Sequence, residues 1–280
     1  MIIRFPGQLL PEQSLSWQLT RRTTNPPGQT GAGFVPAAET TGGGLWRAEL
    51  TDIPIRTRAQ VMTWRALEAL LDGGAAQIVV PLCDKRYFPA PIINGVKVIS
   101  YDPVPHDDGA LFDDGAGYHQ PVVSAYVADD AALRATEITV AMVSGATPQA
   151  GQMFSIAHPN MRERLYVIHR AAIDSDGNST LKIRPPLREA VGALTDVEFD
   201  HPCCVMQLAT PESFKLALDL RKFGKPSAVF VESFDPEMLN GTRQATLPGT
   251  AASGIGASPA TDNELNFANP INSQYLPVVL

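Results

Sequence analysis

The stretch Arg162–Asp200 constrains the fold of this chain most, because it is a run of strand-like segments joined by turn residues. Arg164–Arg170 (RLYVIHR) has the composition of a strand, and the acidic turn Asp174–Asn178 (DSDGN) follows it. An Asp-Gly step between β-rich segments is a strong hairpin signal. The sequence therefore predicts that Thr180–Ile183 returns as the second strand of a hairpin.

A proline pair marks the end of that hairpin. It stands in Arg184-Pro-Pro-Leu-Arg188, and a proline cannot donate its backbone nitrogen to a strand ladder. The strand must therefore end there or lie at a sheet edge. A further strand is predicted at Asp196–Phe199, so the whole stretch indicates β structure.

Short apolar or alternating segments recur along the chain and are also predicted to be strands. Many short strands at this spacing favour a barrel or a sandwich. Glycine (22) and proline (24) make up about a sixth of the 280 residues, which favours turns over long helices. The predicted strands are 14–23, Leu45–Leu50, Gln77–Leu82, Val122–Val127, Thr136–Met142, Met153–Ala157, Leu165–His169, Cys203–Leu208, and a last hairpin of Phe214–Leu220 with Ala228–Glu232. Residues 84–120, rich in Pro, Gly and Asp, are predicted to be a loop-rich connection.

One helix is predicted over Thr57–Leu71. Thr57 and Gln60 have the spacing of a capping box, in which each side chain accepts from the other residue's backbone. Gly73 and Gly74 provide a left-handed stop. Apolar residues follow the 3.6-residue period on one face, which indicates packing against a core, with Trp64 as a core aromatic. These residues are Val61, Trp64, Leu67, Leu70 and Leu71.

Composition narrows the class of protein. Hydrophobic residues make up 44% and charged residues 18%, below the usual charged share of about 25%, which fits a protein that covers much of its surface with neighbours. The net charge of −7 argues against a nucleic-acid backbone as the main partner. Cys83, Cys203 and Cys204 form no disulfide framework, and the first residues resemble no signal peptide, so folding in the cytoplasm is expected.

The sequence contains no complete motif of a metal or catalytic site. The turn at Asp174–Asn178 resembles the start of a calcium loop, but its flanks are strands and position 185 is proline, so a hairpin turn is expected. A solvated acidic loop is expected where several acidic residues stand near two histidines. These residues are His106, Asp107, Asp108, Asp113, Asp114 and His119. The histidines form no HExxH pattern, there is no GxSxG, and Phe223–Ser227 lacks the features of a phosphate loop, so no catalytic residue, metal or cofactor is expected.

Two segments resemble minor tail and distal tail proteins of long-tailed bacteriophages. The first runs from Gly151–Ile156 (GQMFSI) through Arg164–Val167 (RLYV) and the acidic turn to Pro185–Arg188 (PPLR). The second follows a tryptophan-rich pattern, with Ile78 where the family has an aromatic residue. Its matching residues are Trp46, Leu50, Arg58, Trp64, Arg65, Ala66, Leu67 and Gly73. The resemblance covers roughly residues 14–82 and 121–234.

The resemblance implies a structural protein of the virion, without an active site, that forms a ring at the tail tip, commonly of six subunits. Residues 1–85 and 209–235, with a helix at 57–72, would form a β-sandwich belt domain that makes the ring. Residues 86–208 would form an inserted outer domain, a β-barrel or sandwich. The implied partners are further copies of the chain, the tail tube protein, the baseplate hub protein, the tape measure protein and receptor-binding proteins. No membrane anchor and no sequence-specific nucleic acid are expected.

Residues 236–280 are predicted to be a flexible C-terminal arm. Gly, Ala, Thr, Pro, Ser and Asn dominate from about Asp235, and such a segment buries too little apolar surface to offset its conformational entropy. Its last residues are apolar (YLPVVL), which indicates docking against a neighbour. The structural or interface candidates are Trp46, Trp64, Leu67, Tyr275, Leu276 and Leu280.

Two other classes of function stay open. A carbohydrate- or receptor-binding β module predicts exposed aromatic side chains on loops, for which Tyr87, Tyr118 and Tyr126 are the candidates. A tail-associated hydrolase predicts a pair of carboxylates or a Cys/His pair in a cleft, and no convincing pair stands out in the sequence.

Overall fold

The chain is mostly β, as predicted. Its computed structural model describes residues 3–20, 23–24, 38–39, 42–82, 86–101, 112, 120–219 and 223–234, without the side chains at 23–24 and 38–39. All of them belong to one compact unit, Met1–Gly241. The strands in this part are, in chain order, β1 Ile3–Arg4, β2 Ser14–Thr20, β3 Thr23–Thr24, β4 Ala38–Glu39, β5 Leu45–Thr51, β6 Ile78–Pro81, β7 Ile92–Ile93, β8 Val96–Lys97, β9 Ser124–Val127, β10 Glu137–Ser144, β11 Met153–His158, β12 Arg162–Ile173, β13 Ser179–Arg184, β14 Val197–Glu198, β15 Cys203–Leu208 and β16 Ala228–Glu232.

The first sheet has the order β1-β6-β15-β16-β5-β2. Only β1 and β6 are parallel, and the other neighbours are antiparallel. In β5 the buried positions alternate, with Trp46, Ala48 and Leu50 facing the core. β2 alternates in the same way, with half-buried Leu15, Trp17 and Leu19, as the period-2 pattern predicted.

The one long helix in the part of the chain that the structure describes, α1, spans Arg58–Leu70 and packs on this first core. Its capping box is present as predicted, because the Gln60 backbone nitrogen donates to the Thr57 hydroxyl and the Gln60 side chain accepts from the Thr57 backbone. The chain turns away at Gly73, whose φ of 62° suits glycine. Leu70 was predicted to face the core and is instead 53% exposed, since it lies at the border of the apolar face.

The second sheet has the order β14-β11-β12-β13-β10-β9 and is antiparallel throughout. A backbone bridge between Tyr126 in β9 and Asp196 beside β14 joins its two edges, so the sheet nearly closes into a barrel. The hairpin of β12 and β13 turns at the predicted acidic segment. There the Asp174 carboxylate accepts from the backbone nitrogens of Asp176 and Asn178, which stabilises a turn rather than a calcium loop.

β12 contributes to both cores of the molecule. Leu165 packs in the core of the first sheet, and Tyr166, its neighbour in the chain, packs inside the barrel. Successive side chains of a strand point to opposite faces, so β12 forms the wall that separates the two cores. The barrel therefore lies directly against the first sheet.

Two predictions for the region after residue 202 differ from the structure. Cys203–Leu208 was placed in the inserted region, but β15 pairs with β6 and β16 and so belongs to the first sheet. The predicted pairing of Phe214–Leu220 with β16 is wrong, because β5 and β15 occupy both edges of β16. Pro211–Phe214 forms a 3₁₀ helix that buries Phe214 against α1.

The region predicted to be loop-rich contains a hairpin. β7 and β8 pair across Asn94 and Gly95, which have φ values of 52° and 78°. An Asn-Gly step between β-branched residues is the signal for this turn, and it stands in the sequence as IINGVK. His106, Asp107, Asp108, Asp113, Asp114 and His119, the predicted acidic loop, lie outside the described residues.

Trp64→Ala should destabilise the protein by about 3–5 kcal/mol, since it removes a large core side chain. Trp64 is fully buried, stacks on the Phe214 ring with centroids 4.1 Å apart, and donates its indole nitrogen to the Phe214 carbonyl oxygen at 3.3 Å. Urea unfolding measures the change. Leu70→Ala on the same helix is the matched control and should cost under about 1 kcal/mol; equal effects of the two variants would contradict this role for Trp64.

Candidate functional site

A buried ionic cluster lies where β12 meets the first sheet. The side chains of Arg164, from β12, and Glu232, from β16, are both 0% exposed, and their Nη1 and Oε1 atoms are 3.7 Å apart. Arg164 Nη1 also donates to the carbonyl oxygen of Ser233 at 2.6 Å. The cluster thus connects a barrel strand to a central strand of the first sheet through charged groups without access to water.

Arg188 completes the cluster from the loop after β13. Its Nε donates to Glu232 Oε1 at 3.1 Å and its Nη2 to Glu232 Oε2 at 2.9 Å, so the guanidinium binds the carboxylate through two parallel hydrogen bonds. Nη2 also donates to the Gly44 carbonyl oxygen at 2.5 Å. One arginine therefore holds the turn before β5, the end of β16 and the barrel together.

Two aromatic residues contact the cluster. The Phe234 ring lies 4.6 Å from Arg164 Cζ and 4.8 Å from Arg188 Cζ, a geometry in which the ring face attracts both cations. Trp46 donates its backbone nitrogen to Glu232 Oε2 and its indole nitrogen to the Leu165 carbonyl oxygen at 2.6 Å. Trp46 thus bridges the first sheet and β12 directly.

The glycine turn before β5 allows the proline pair to approach. A Cβ atom on Gly43 would stand 2.2 Å from Pro186 Cδ, and the φ of Gly43 is 110°, a region that favours glycine. The close approach brings Gly44 within reach of Arg188. The local sequence, glycines on one side and prolines on the other, therefore positions the arginine.

The cluster holds two cations and one anion in a region of low dielectric constant. Arg164 Nε and Nη2 are buried and have no hydrogen-bond partner among the described residues. Buried charges are costly when they lose a partner, because the remaining ion is neither hydrated nor paired. The arrangement is suited to fixing the relative position of two structural parts.

A polar chain leads from this cluster into the barrel. The Tyr166 hydroxyl accepts from the Arg188 backbone nitrogen at 3.1 Å and lies 2.8 Å from His158 Nε2. Burial raises the pKa of Tyr166 above its usual value. Burial also lowers the pKa of His158 to about 4, with a smaller lowering by Arg164, while Glu189 acts in the opposite direction.

The other buried titratable groups have structural partners. The Asp200 carboxylate accepts from the backbone nitrogens of Val122 at 2.6 Å and Val123 at 3.0 Å, and burial raises its pKa in spite of these bonds. Burial raises the pKa of the Cys203 thiol to about 12 and that of Cys204 further. Neither thiol is therefore activated as a nucleophile.

The structure places the sequence candidates as follows. Trp46, Trp64 and Leu67 are at most 4% exposed and lie in the core of the first sheet. Tyr275, Leu276 and Leu280 lie outside the described residues, as does Tyr118. Tyr87 is 63% exposed and Tyr126 is half-buried in β9. Within the described ranges, no group of three or more His, Cys, Asp or Glu side chains is placed to hold a metal ion.

The ionic cluster was missed from the sequence, although two signals point to it. The buried positions of β16 alternate as Ala228, Phe230 and Glu232, so a carboxylate occupies a core position. Arg164 stands directly before the apolar run Leu165–Ile168 of β12. A single charged residue at a core-facing position of a strand predicts a buried partner. Only the tertiary structure identifies that partner, because Arg188 and Glu232 are far apart in the sequence.

The sequence was compared with protein-family models and with curated proteins. No family model matches the sequence, and no curated protein matches it. Among the residues that the structure describes, no helix is long and apolar enough to cross a membrane.

Glu232→Gln should destabilise the protein by about 3–5 kcal/mol, because it leaves two buried guanidinium groups without a counter-charge. The matched control is Glu49→Gln, which breaks an exposed pair with Arg47 and should cost at most about 1 kcal/mol. Unfolding in guanidinium chloride measures both. A loss below about 1 kcal/mol for Glu232→Gln would show that the cluster contributes no stability.

The stability of the protein should fall as the pH decreases from 6.5 to about 4, in part because of His158. The unfolded chain binds a proton at this residue near pH 6.5, whereas the native state does so only near pH 4, so protons favour unfolding within this window. The contribution of His158 to the stability is complete above pH 6.5, and its loss at low pH amounts to about 3 kcal/mol at most.

His158→Gln should flatten this part of the stability profile, and His169→Gln, at an exposed position of β12, should not. Burial would raise the pKa of Glu189, but hydrogen bonds from Met161 and Asn160 outweigh it and lower the pKa below 4.5. The stabilisation from Glu189 is lost at lower pH than that from His158, so the two effects can be measured separately. Chemical unfolding of both variants at a series of pH values measures these profiles. Identical slopes for the two variants would show that His158 does not cause the loss of stability.

Proposed function

We propose that this chain is a structural subunit of the tail tip of a long-tailed bacteriophage, a distal tail protein that forms a ring between the tail tube and the baseplate hub. The ring is expected to contain six subunits. The proposed family rests on the resemblance of Gly151–Arg188 and Trp46–Gly73 to distal tail proteins. It places the protein in the virion and assigns it no catalytic activity.

The apolar surface of the β7–β8 hairpin is the observation that carries the proposal. Ile92 is 68% exposed, Ile93 52% and Val96 68%, and Ile99 just beyond them is 59% exposed. Contiguous exposed apolar side chains typically mark a surface that another protein covers. A subunit of a larger assembly has such a surface, because a neighbouring protein buries it.

The motif residues of the resemblance provide a second support. Arg164, Leu165 and Tyr166 of the RLYV segment and Arg188 of the PPLR segment are the residues that seat the barrel on the first sheet. Charged groups without access to water hold this junction with a defined geometry. A rigid connection between two β parts suits a subunit whose neighbours must all bind in the same orientation.

The finer organisation follows the same proposal. The first sheet with α1 belongs to the ring-forming β-sandwich belt, from residues 1–85 and 209–235, to which β15 adds its residues 203–208. The barrel-like sheet, within residues 86–208, faces outward. Residues 236–280 are the arm that contacts a neighbouring subunit or tail component. Expected partners are the tail tube, baseplate hub, tape measure and receptor-binding proteins.

Negative-stain images of isolated tail particles should show ring density at the tail tip that antibodies against this chain label. Light scattering of the assembled ring should give a mass near six times 30.1 kDa. A protein that stays strictly monomeric inside isolated tails, with no ring density at the tip, would exclude the proposal. A ring with another subunit number would correct only the stoichiometry.

A further inference from the structure

The turn between β7 and β8 is a single Asn-Gly step, and both of its residues are exposed. The φ values of Asn94 and Gly95 are 52° and 78°, so both lie in the left-handed region that a two-residue hairpin turn requires. Among the described residues, none forms a hydrogen bond with the Asn94 side-chain amide or with the Gly95 backbone nitrogen. An amide carbon and a neighbouring nitrogen are therefore open to solvent and unpaired at this turn.

The hairpin is fixed at its base and not at its tip. The Val98 nitrogen donates to the Pro91 carbonyl oxygen at 3.0 Å, which holds the strands where they leave the rest of the protein. Towards the tip, only two pairs of residues connect β7 with β8. A two-stranded ribbon of this kind is marginally stable. The tip therefore opens at a small part of the free energy of global unfolding.

The Asn-Gly step can react with itself, and the reaction needs only water. The Gly95 nitrogen attacks the side-chain carbonyl carbon of Asn94, Cγ, and closes a five-membered succinimide ring. The bond from Cγ to the side-chain nitrogen breaks, and this nitrogen leaves as ammonia with the proton that the Gly95 nitrogen loses. Water then opens the ring. Breaking the bond from Cγ to the Gly95 nitrogen gives aspartate, and breaking the bond from the backbone carbonyl carbon gives isoaspartate.

Two properties of the step favour this reaction. The two reacting groups belong to neighbouring residues, so the attack is intramolecular and needs no encounter. Glycine has no side chain that would shield the attacking nitrogen, and its backbone adopts the strained geometry of ring closure more readily than that of any other residue. Exposure leaves the water that completes the reaction in contact with the ring.

We infer that Asn94 is a site of spontaneous deamidation in the folded protein, where it is converted to aspartate and isoaspartate. Each conversion adds one negative charge to a chain of net charge −7. The new carboxylate lies between Ile93 and Val96, which are 52% and 68% exposed, so it places a charge at the tip of an aliphatic surface. In isoaspartate the backbone also gains a methylene group, which alters the turn. The inference concerns the isolated chain and does not rest on the proposed function.

The acidic turn after β12 provides a matched comparison within the same chain. Asp176 and Gly177 are also exposed at a hairpin tip, and the φ of Gly177 is 84°. In this turn, however, the Gly177 nitrogen donates to the Asp174 carbonyl oxygen at 3.3 Å. The Asp174 carboxylate also accepts from the Asp176 nitrogen at 2.9 Å. Asp176→Asn therefore gives the same Asn-Gly step in a turn whose backbone nitrogens are bound.

Incubation of the full chain in mildly alkaline buffer, once folded and once in urea, tests the inference. Digestion and mass spectrometry measure the gain of one dalton at each asparagine and separate the two products. The rate at Asn94 in the folded protein should lie within about tenfold of its rate in urea, because exposed hairpin tips open at free energies near zero. Asn160 should stay unchanged, since it precedes Met161 and its side-chain nitrogen donates to Glu189.

Two variants complete the test, with circular dichroism to show that each is folded. Asn94→Gln should remove the modified peptide, because the longer side chain closes a less favourable ring. Asp176→Asn should convert at least about tenfold more slowly when folded than in urea, since its turn must first lose the bonds to Asp174.

A rate at Asn94 that folding lowers by more than about tenfold would overturn the inference. Equal effects of folding on Asn94 and on the Asp176→Asn position would also overturn it, because the unpaired Gly95 nitrogen would then make no difference. None of these results bears on the proposed function, which depends on ring density and labelling at the tail tip.

Discussion

The position of the barrel on the first sheet depends on the Glu232 carboxylate. It receives two hydrogen bonds from Arg188 and lies 3.7 Å from Arg164, while the Trp46 backbone nitrogen donates to it. Each of these partners comes from a different part of the chain. A buried ion without its partners costs several kcal/mol. The four segments that carry these residues are therefore held in one arrangement, because moving one of them would remove a hydrogen bond or an ion pair from the carboxylate.

The hydrophobic cores are organised around the same junction. β12 directs Leu165 into one core and Tyr166 into the other, so a shift of this strand by one residue would exchange the two faces. Arg164, the residue before Leu165, donates to the Ser233 carbonyl oxygen, and a shifted strand would lose this bond. The ionic cluster therefore specifies the register of the strand that separates the cores.

Local signals in the sequence determined the elements. The capping box at Thr57, the Asp-Gly turn after β12 and the alternation of Trp46 in β5 depend on neighbours a few residues away, so they can be read without the fold. The Asn94-Gly95 turn between β7 and β8 carries the same kind of signal. The wrong pairing of Phe214–Leu220 shows the limit, because β-pairing is decided by whichever edge is available.

Only the tertiary structure decided which distant residues meet. The alternation of β16 places the Glu232 carboxylate at a core-facing position. Its pairing with Arg164 and Arg188 arises because the barrel packs on the first sheet. The same holds for β15, whose composition fits either sheet and whose hydrogen bonds place it in the first. The period of a sequence pattern indicates which face of a strand a residue occupies. Long-range packing decides which distant residue it contacts, and the ionic cluster consists of such contacts.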